Sequence, residues 1–318
     1  MHPPWHPLVF VGFSTVFMAS LFGNSVIIHI IRTDNSMRTT TNYLIINQAC
    51  SDLLISFAEI LGVFYYSYSG SEGIGGILGL ISCKMFIAIL FISPNFSVWI
   101  LAIIALDRIY AVTRPLRLSP ISQHLKKIIF SCWACSVALS SSILVNETFK
   151  NVNGSYYCEV TLLFVDWNIS NTISTTFEFF LPLLIITVLY TCVCHRLWIR
   201  KVPGEGSNHN EEQAAALKTA RKVTRMMIIV VVLYVICWLP LYLIVLLHFI
   251  DRVQVIDGLF FFTNFSTLCY SGINPYIYLT FSQNFRNGLR KLFRKFCGKL
   301  RISNVISFRS QSVELEQI

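Results

Sequence analysis

Seven apolar stretches, each about as long as a bilayer is thick, confine this sequence to very few folds. They cover residues 8–31, 43–68, 84–106, 127–145, 173–195, 226–249 and 257–281. A helix needs roughly 20 apolar residues to cross the hydrocarbon core. Inside lipid every backbone N–H and C=O must be paired without water, so a spanning segment is a helix or a strand of a closed barrel. Barrel strands need about ten residues of strict alternation, and none of the seven stretches alternates in that way. The expected fold class is therefore an all-α membrane protein, a bundle of seven transmembrane helices. Composition agrees: 54% of the residues are hydrophobic and 13% are charged, against about 25% charged in a soluble domain.

The formal charge of +9 raises the question of nucleic acid, and the placement of the charge answers it. Only Lys84, Lys150 and Arg252, 3 of the 25 basic residues, fall in one set of loops. The other 22 lie in 32–42, 108–127, 196–225 and 286–309. Short loops keep their Lys and Arg on the cytoplasmic side. The expectation is an N-terminus outside, a C-terminus inside and no nucleic-acid partner. The first stretch follows "MHPPWHP", which has no basic residue, and its apolar run exceeds the roughly 7–15 residues of a signal core. It is expected to remain as a span. After the seventh stretch, Phe285, Leu289, Leu292, Phe293 and Phe296 recur at helical spacing, with Arg286, Arg290, Lys291, Arg294 and Lys295 on the other face. This predicts an amphipathic helix on the inner leaflet, in contact with membrane lipid. Cys297 follows it as a palmitoylation candidate. The expected organisation is a bundle over 1–281, the amphipathic helix over 282–297 and a disordered tail over 298–318.

Two of the ten cysteines stand apart from the rest, which lie mostly within apolar stretches. Cys83 sits at the outer end of the third stretch and Cys158 in the outer loop 146–172. That compartment is oxidising, and a bond between them would tie the loop across the mouth of the bundle. Asn146, Asn153 and Asn168 each begin a glycosylation tripeptide in the same loop. Ionisable groups inside a span are costly and need a reason. Asp52 lies near the middle of the second stretch, with Asn24, Ser97, Ser271 and Asn274 as its expected polar company. A carboxylate among hydroxyls and amides suits a hard monovalent cation such as sodium. It equally suits a hydrogen-bonded knot that fixes helix packing, and the residues alone leave both readings open. The third stretch ends abruptly in Asp107-Arg108.

Read in order, one motif per stretch, the chain becomes familiar. Gly23-Asn24, Asp52, Asp107-Arg108 and Trp133 are followed by Pro182 with Tyr190, by Cys237-Trp238-Leu239-Pro240, and by Asn274-Pro275-Tyr276-Ile277-Tyr278. Together they resemble the rhodopsin-like (class A) G-protein-coupled receptors over roughly residues 20–297. The phrases "NYLIINQACSDLL" and "RKVTRMMIIVVVLYVICWLP" look most like the neuropeptide and peptide-hormone branch. The resemblance implies an activity: binding of an extracellular ligand drives nucleotide exchange on a heterotrimeric G protein. It implies that Asp107 holds Arg108 at rest, and that Pro115 and Leu116 touch the G protein. Trp238, beside Pro240, is implied to sense ligand. Tyr190 and Tyr278, with Asn274 and Pro275, are implied to hold the active state. Arrestin is implied as a further partner, through a tail carrying Ser303, Ser307, Ser310 and Ser312.

The departures from the pattern are informative. Ile109 stands where the family has Tyr, Tyr234 where it has Phe, and Pro94 is an unusual kink. Ala220 occupies the place of an acid that in some receptors locks the arginine, so only the local Asp107 restraint is expected. Raised basal activity follows as an expectation. Leu90 replaces the anchoring Asp of amine receptors, and 257–281 has no retinal-binding Lys. Outward of the membrane centre, eight acids (Glu59, Glu72, Glu147, Glu159, Asp166, Glu178, Asp251 and Asp257) outnumber the three bases. An acidic mouth gathers cations. The expected ligand is a short cationic peptide anchored by Glu178 or Glu59, with Tyr65, Phe91, Phe177, Trp238 and Tyr242 supplying cation–π faces. A small amine held through the fifth stretch is the alternative. A cation or proton transporter is the reading from another class, but no half-to-half repeat supports it. The chain carries no HExxH, GxSxG or phosphate loop, so an enzyme is not expected. No cofactor is expected beyond the sodium ion as a modulator.

Overall fold

The computed structural model describes residues 6–69, 75–114, 119–145, 147–152, 155–160, 175–199, 208–249 and 257–294, in some of which only the backbone is described. Its long helices are α1 (His6–Thr33), α2 (Thr40–Ser69), α3 (Gly76–Thr113), α4 (Leu125–Val145), α5 (Leu181–Ile199), α6 (Asn208–Phe249) and α7 (Asp257–Phe281). A shorter helix, α8, follows over 283–294. Among the described residues, five helices are long and apolar enough to cross a membrane: those holding Pro7–Thr33, Thr40–Val63, Gly76–Thr113, Thr176–Ile199 and Leu217–Ile244. With α4 and α7 they make the seven-helix bundle.

Helix α3 runs well beyond the predicted 84–106 at both ends, and α6 begins in the polar run "NHNEEQAAA" before its apolar part. Apolar patterning marks where lipid lies, and a helix continues past that point while its backbone bonds last. Ahead of α5, Thr176–Phe180 forms a π turn. That wider turn lies directly before Pro182, which has no N–H to close an ordinary ladder. Pro94, Pro240 and Pro275 lie inside α3, α6 and α7. Ser266 Oγ of α7 donates to the Cys237 carbonyl at 2.9 Å, one turn before Pro240, the kind of side-chain support that lets membrane helices tolerate proline.

One departure from an all-helical chain lies between α4 and α5. Strands β1 (Glu147–Val152) and β2 (Ser155–Val160) pair antiparallel, with Phe149 opposite Cys158. Phe149, Val152, Tyr156, Tyr157 and Val160 are good strand formers, and the intervening sequence is Asn-Gly, a strong hairpin signal. The segment is expected as part of the outer loop 146–172, with Asn153 read as the start of a glycosylation tripeptide, and that reading leaves the hairpin signal in the same residues unused. The hairpin lies over the start of α3: a Cβ on Gly75 would meet the Tyr156 ring at 2.5 Å.

One large apolar core joins α1 through α8, from Val26 and Ile27 through Ile100 and Leu101 to Phe285. A smaller cluster of Phe13, Ile60, Val63, Phe261 and Leu268 sits toward the hairpin end. A third, of Val112, Val193, Leu197 and Leu217 with Ile109 and Ala220 packed on it, sits at the Arg108 end. Helices α1 and α7 approach closely because position 23 is glycine. A Cβ there would lie 2.5 Å from Pro275 Cγ.

Candidate functional site

The polar groups buried in the bundle fall into three sets along its length. At the Arg108 end, Asp107 is 3% exposed, and Arg108 Nη2 donates to its Oδ2 at 2.6 Å. Thr41, in the first turn of α2, completes the set. Its hydroxyl donates to Asp107 Oδ2 at 2.8 Å and accepts from Arg108 Nη2. Arg108 Nε is buried without a hydrogen-bond partner, so the guanidinium is held at one edge only. The restraint expected from Asp107 alone is thus corrected: Thr41 ties the pair to α2. No local pattern pairs Thr41 with Asp107, because α2 and α3 meet there only through the fold. Ala220 carries no charge, and instead joins the apolar cluster that bridges α3, α5 and α6. Arg221 adds a bond from Nη2 to the Leu197 carbonyl at 3.0 Å. Pro115 and Leu116 lie outside the described residues.

The middle set surrounds Asp52, which is 1% exposed. Asn274 Nδ2 donates to its Oδ2 at 2.8 Å. Asn24 Nδ2 does not reach Asp52. It donates to the Ser20 carbonyl, the Ser20 hydroxyl and the Ser271 carbonyl at 3.0, 3.1 and 3.1 Å. Ser97 Oγ accepts from Gln48 Nε2, which also donates to the Tyr270 hydroxyl at 3.1 Å. Gln48, one turn before Asp52 on α2, is a member that the sequence reading missed, although its helical spacing could have found it. Gln48 Oε1, Ser271 Oγ and Asn274 Oδ1 are buried oxygens with no hydrogen-bond partner. Unpartnered oxygens beside a carboxylate fit a hard cation, which takes oxygen ligands. Near this level, Tyr190, Tyr278 and Trp238 are buried, as is Pro275's neighbour Asn274. Tyr278 Oη and Trp238 Nε1 lack partners.

The third set lies toward the hairpin. Glu59 accepts from Thr267 Oγ1 at 3.0 Å, which ties α2 to α7. Glu178, in the π turn, is 7% exposed and accepts from Asn95 Nδ2 at 3.0 Å. Asn95 also donates to Ser140 Oγ of α4 at 3.2 Å. Neither acid is ion-paired among the described residues. Beside Glu178 the rings form a column: Phe179–Tyr242 at 4.5 Å, Phe179–Tyr234 at 6.0 Å and Tyr234–Trp238 at 5.8 Å between centroids. Phe177, expected in this space, is 42% exposed and points away; Phe179 takes the inward place. The π turn adds a residue per turn, so ordinary helical spacing misassigns the face. Leu90 and Phe91 of α3 are half-buried, and the Tyr65 side chain lies outside the described residues.

Cys83 is buried and disulfide-bonded. The Cys158 side chain, Asn146, Asn153, Asn168 and Cys297 lie outside the described residues.

A sequence model of the 7 transmembrane receptor (rhodopsin family) matches residues 23–278. The chain belongs to this family, and so is a G-protein-coupled receptor, a multi-pass protein of the plasma membrane and not an enzyme. It is 27% identical to the substance-P receptor of Meriones unguiculatus over 92% of this chain and 73% of that receptor. It is 28% identical to the substance-P receptor of Mus musculus over the same shares. It is 29% identical to the neuromedin-K receptor of Oryctolagus cuniculus over 96% of this chain and 65% of that receptor.

Proposed function

We propose that this receptor detects an extracellular cationic peptide and transmits its binding to a heterotrimeric G protein at the Arg108 end. The observation that carries the ligand class is Glu178. It is a buried carboxylate beside an aromatic column, partnered among the described residues by a neutral amide alone. A buried acid without a counter-charge is costly, and an arriving ammonium or guanidinium would supply that charge. Glu59 offers a second anchor between α2 and α7. Leu90 leaves α3 without an acid at the position where amine receptors have theirs, which favours a peptide over a small amine. The similarity to receptors named for substance P and neuromedin K supports the same class.

In this reading the hairpin end faces outward and the N-terminus lies outside. Ligand bound against Trp238 and Tyr242 loosens α6 about Pro240, where the helix ladder is interrupted. The clamp on Arg108 then opens, and the arginine meets the G protein together with Pro115 and Leu116. Tyr190 and Tyr278 close in behind it. Asp52, Ser271 and Asn274, with Gln48, would hold a sodium ion, which supplies a positive charge that favours the resting arrangement. Ser97 is engaged by Gln48 and contributes indirectly. A Cys83–Cys158 bridge and sugars on Asn146, Asn153 and Asn168 belong to the outer face. The tail, with Cys297 acylated, offers serines to arrestin.

The test uses the whole receptor in cells, screened for nucleotide exchange against a panel of basic peptides. Glu178→Gln and Glu59→Gln are then compared with wild type at equal surface expression. Removing a charge-paired anchor costs roughly 2–5 kcal/mol, so potency should fall well beyond tenfold in at least one variant. A neutral citrulline analogue of the peptide should lose potency on the wild type and lose little further on that variant. Potency within tenfold in both variants, or an anionic or neutral-lipid agonist, overturns the reading.

A further inference from the structure

At the Arg108 end, the turn that joins α1 to α2 faces α8 across a cavity of about 320 Å³, lined among others by Asp34, Ser36, Arg290, Lys291 and Arg294. Three bases and one acid leave it a formal excess of two positive charges. Asp34 Oδ2 accepts from Lys291 Nζ at 2.7 Å, and Lys291 is 70% exposed. An exposed pair of this kind contributes little, so the bond by itself holds α8 to the turn weakly. Arg290 and Arg294 are exposed and pair with no acid among the described residues. They lie four apart on α8, one above the other.

Across the cavity from these bases is Ser36. It is exposed, and its hydroxyl donates to Asp34 Oδ1 at 2.7 Å, while its amide donates to the same oxygen at 3.0 Å. Asp34 meets Lys291 through its other oxygen, so one carboxylate separates the serine hydroxyl from the lysine. The turn itself is a single 3-10 turn, Asn35–Met37. Met37 N–H donates to the Asp34 carbonyl at 2.9 Å and Arg38 N–H to the Asn35 carbonyl at 3.3 Å. A segment held by so few exposed bonds opens locally at small cost, which gives a modifying enzyme an extended chain to read. Arg32 lies four residues before Ser36 and Arg38 two after it. Flanking charge of this kind selects kinase substrates.

We propose that Ser36 is a phosphorylation site and that Arg290 and Arg294 of α8 receive the phosphate. The donor is ATP and the enzyme is an arginine-directed serine kinase. Ser36 Oγ attacks the γ-phosphorus: the Oγ–P bond forms, the bond from that phosphorus to the ADP oxygen breaks, and the hydroxyl proton passes to the base of the kinase. A phosphoserine carries about −1.5 to −2 charges at pH 7 and three acceptor oxygens, which matches the excess charge of the cavity. Guanidinium forks take phosphate oxygens in bidentate pairs. Ser36 gives up its hydroxyl bond to Asp34, and repulsion from that carboxylate favours a phosphate turned toward the two arginines. The product is a strap from α8 to the start of α2. The Met37 carbonyl of the strapped turn accepts from Asn42 Nδ2 at 2.7 Å, next to Thr41 of the Arg108 clamp.

The whole receptor, purified in detergent, is incubated with ATP and the catalytic domain of an arginine-directed serine kinase, and phosphates are located by peptide mass spectrometry. Ser36 should be phosphorylated in the wild type. Release of that phosphate by a soluble phosphatase is then timed. The double variant Arg290→Gln, Arg294→Gln should lose it roughly tenfold faster than wild type, because a phosphate paired with arginines is withheld from the phosphatase. Arg286 donates to the Thr280 carbonyl and does not line the cavity, so Arg286→Gln should match wild type. Phosphorylation should raise the melting temperature of the wild type and leave that of the double variant where it was. Equal melting temperatures before phosphorylation check that each variant is folded. Phosphate on Thr39 or Thr40 in place of Ser36, or on none of the three, overturns the site. Equal release from wild type and the double variant, or equal acceleration in Arg286→Gln, overturns the docking on α8. In a cell the kinase reaches Ser36 through the inward orientation set out under the proposed function. In detergent both ends are open and no agonist is needed, so failure of the peptide screen leaves this result untouched.

Discussion

Thr41 is a small residue with a large share in the resting arrangement, since both members of the Asp107–Arg108 pair bond its hydroxyl. Interhelical hydrogen bonds in membranes contribute roughly 0.6–2 kcal/mol. Thr41→Val keeps the shape and removes the hydroxyl. At about 1 kcal/mol, ligand-independent nucleotide exchange should rise roughly fivefold, while Thr41→Ser should stay near wild type. Equal basal exchange in all three proteins would show that Thr41 does not restrain Arg108. Arg108→Ala belongs to the same scale: it should reach the cell surface and bind agonist yet stimulate no exchange, and normal signalling by that variant would sink the coupling role. At Asp52, agonist affinity should fall as sodium rises, and Asp52→Asn should abolish that dependence. Identical sodium curves for the two proteins would count against the cation.

Elements carry the next level of decision. The π turn before Pro182 turns Glu178 and Phe179 inward and leaves Phe177 outside. The proline itself was legible in the sequence, but the extra residue that it provokes was not, because the turn is chosen by packing against α3 and α6. The hairpin is a similar case: its Asn-Gly signal is local, but its placement over Gly75 depends on α3 being there to receive Tyr156. Cys83, near the hairpin end of α3, is disulfide-bonded. The proposed Cys83–Cys158 bridge would close a loop of about 75 residues, worth on the order of 4 kcal/mol in the entropy model. Cys83→Ser should then cost surface expression or agonist binding, and mass spectrometry finding Cys158 free in the wild type would refute the pairing. Close approach of α1 and α7 depends on Gly23. Gly23→Val overpacks that crossing by roughly 1–3 kcal/mol, and a thermal melt of purified receptor should show a lower midpoint. An unchanged midpoint would mean that the two helices separate freely.

At the scale of the whole molecule, charge sets direction. With 22 of 25 basic residues confined to alternate loops and the tail, insertion should leave the N-terminus outside. An epitope at the N-terminus should stain on intact cells, and one at the C-terminus only after permeabilisation. The reverse staining pattern would exchange the inner and outer faces of the receptor. The outer acids and the inner bases then give the receptor two mouths of opposite sign, one that gathers cationic ligands and one that meets anionic lipid.

Apolar length, loop charge and one short motif per stretch were enough to fix the seven-helix class, because a bilayer imposes its demands on each segment separately. Lipid asks only that a span be long, apolar and internally hydrogen-bonded, and those are local properties. Which polar side chains meet is a different kind of question. Thr41 lies 66 residues from Asp107, and Glu59 lies 208 from Thr267. Nothing in either local sequence names its partner. Helical spacing along α2 could place Gln48 beside Asp52, but only the packing of α3 and α7 against that face could add Ser97 and Tyr270. Buried polar groups must find partners across helices where water is absent, so the tertiary structure alone decided how the charges of this receptor are held.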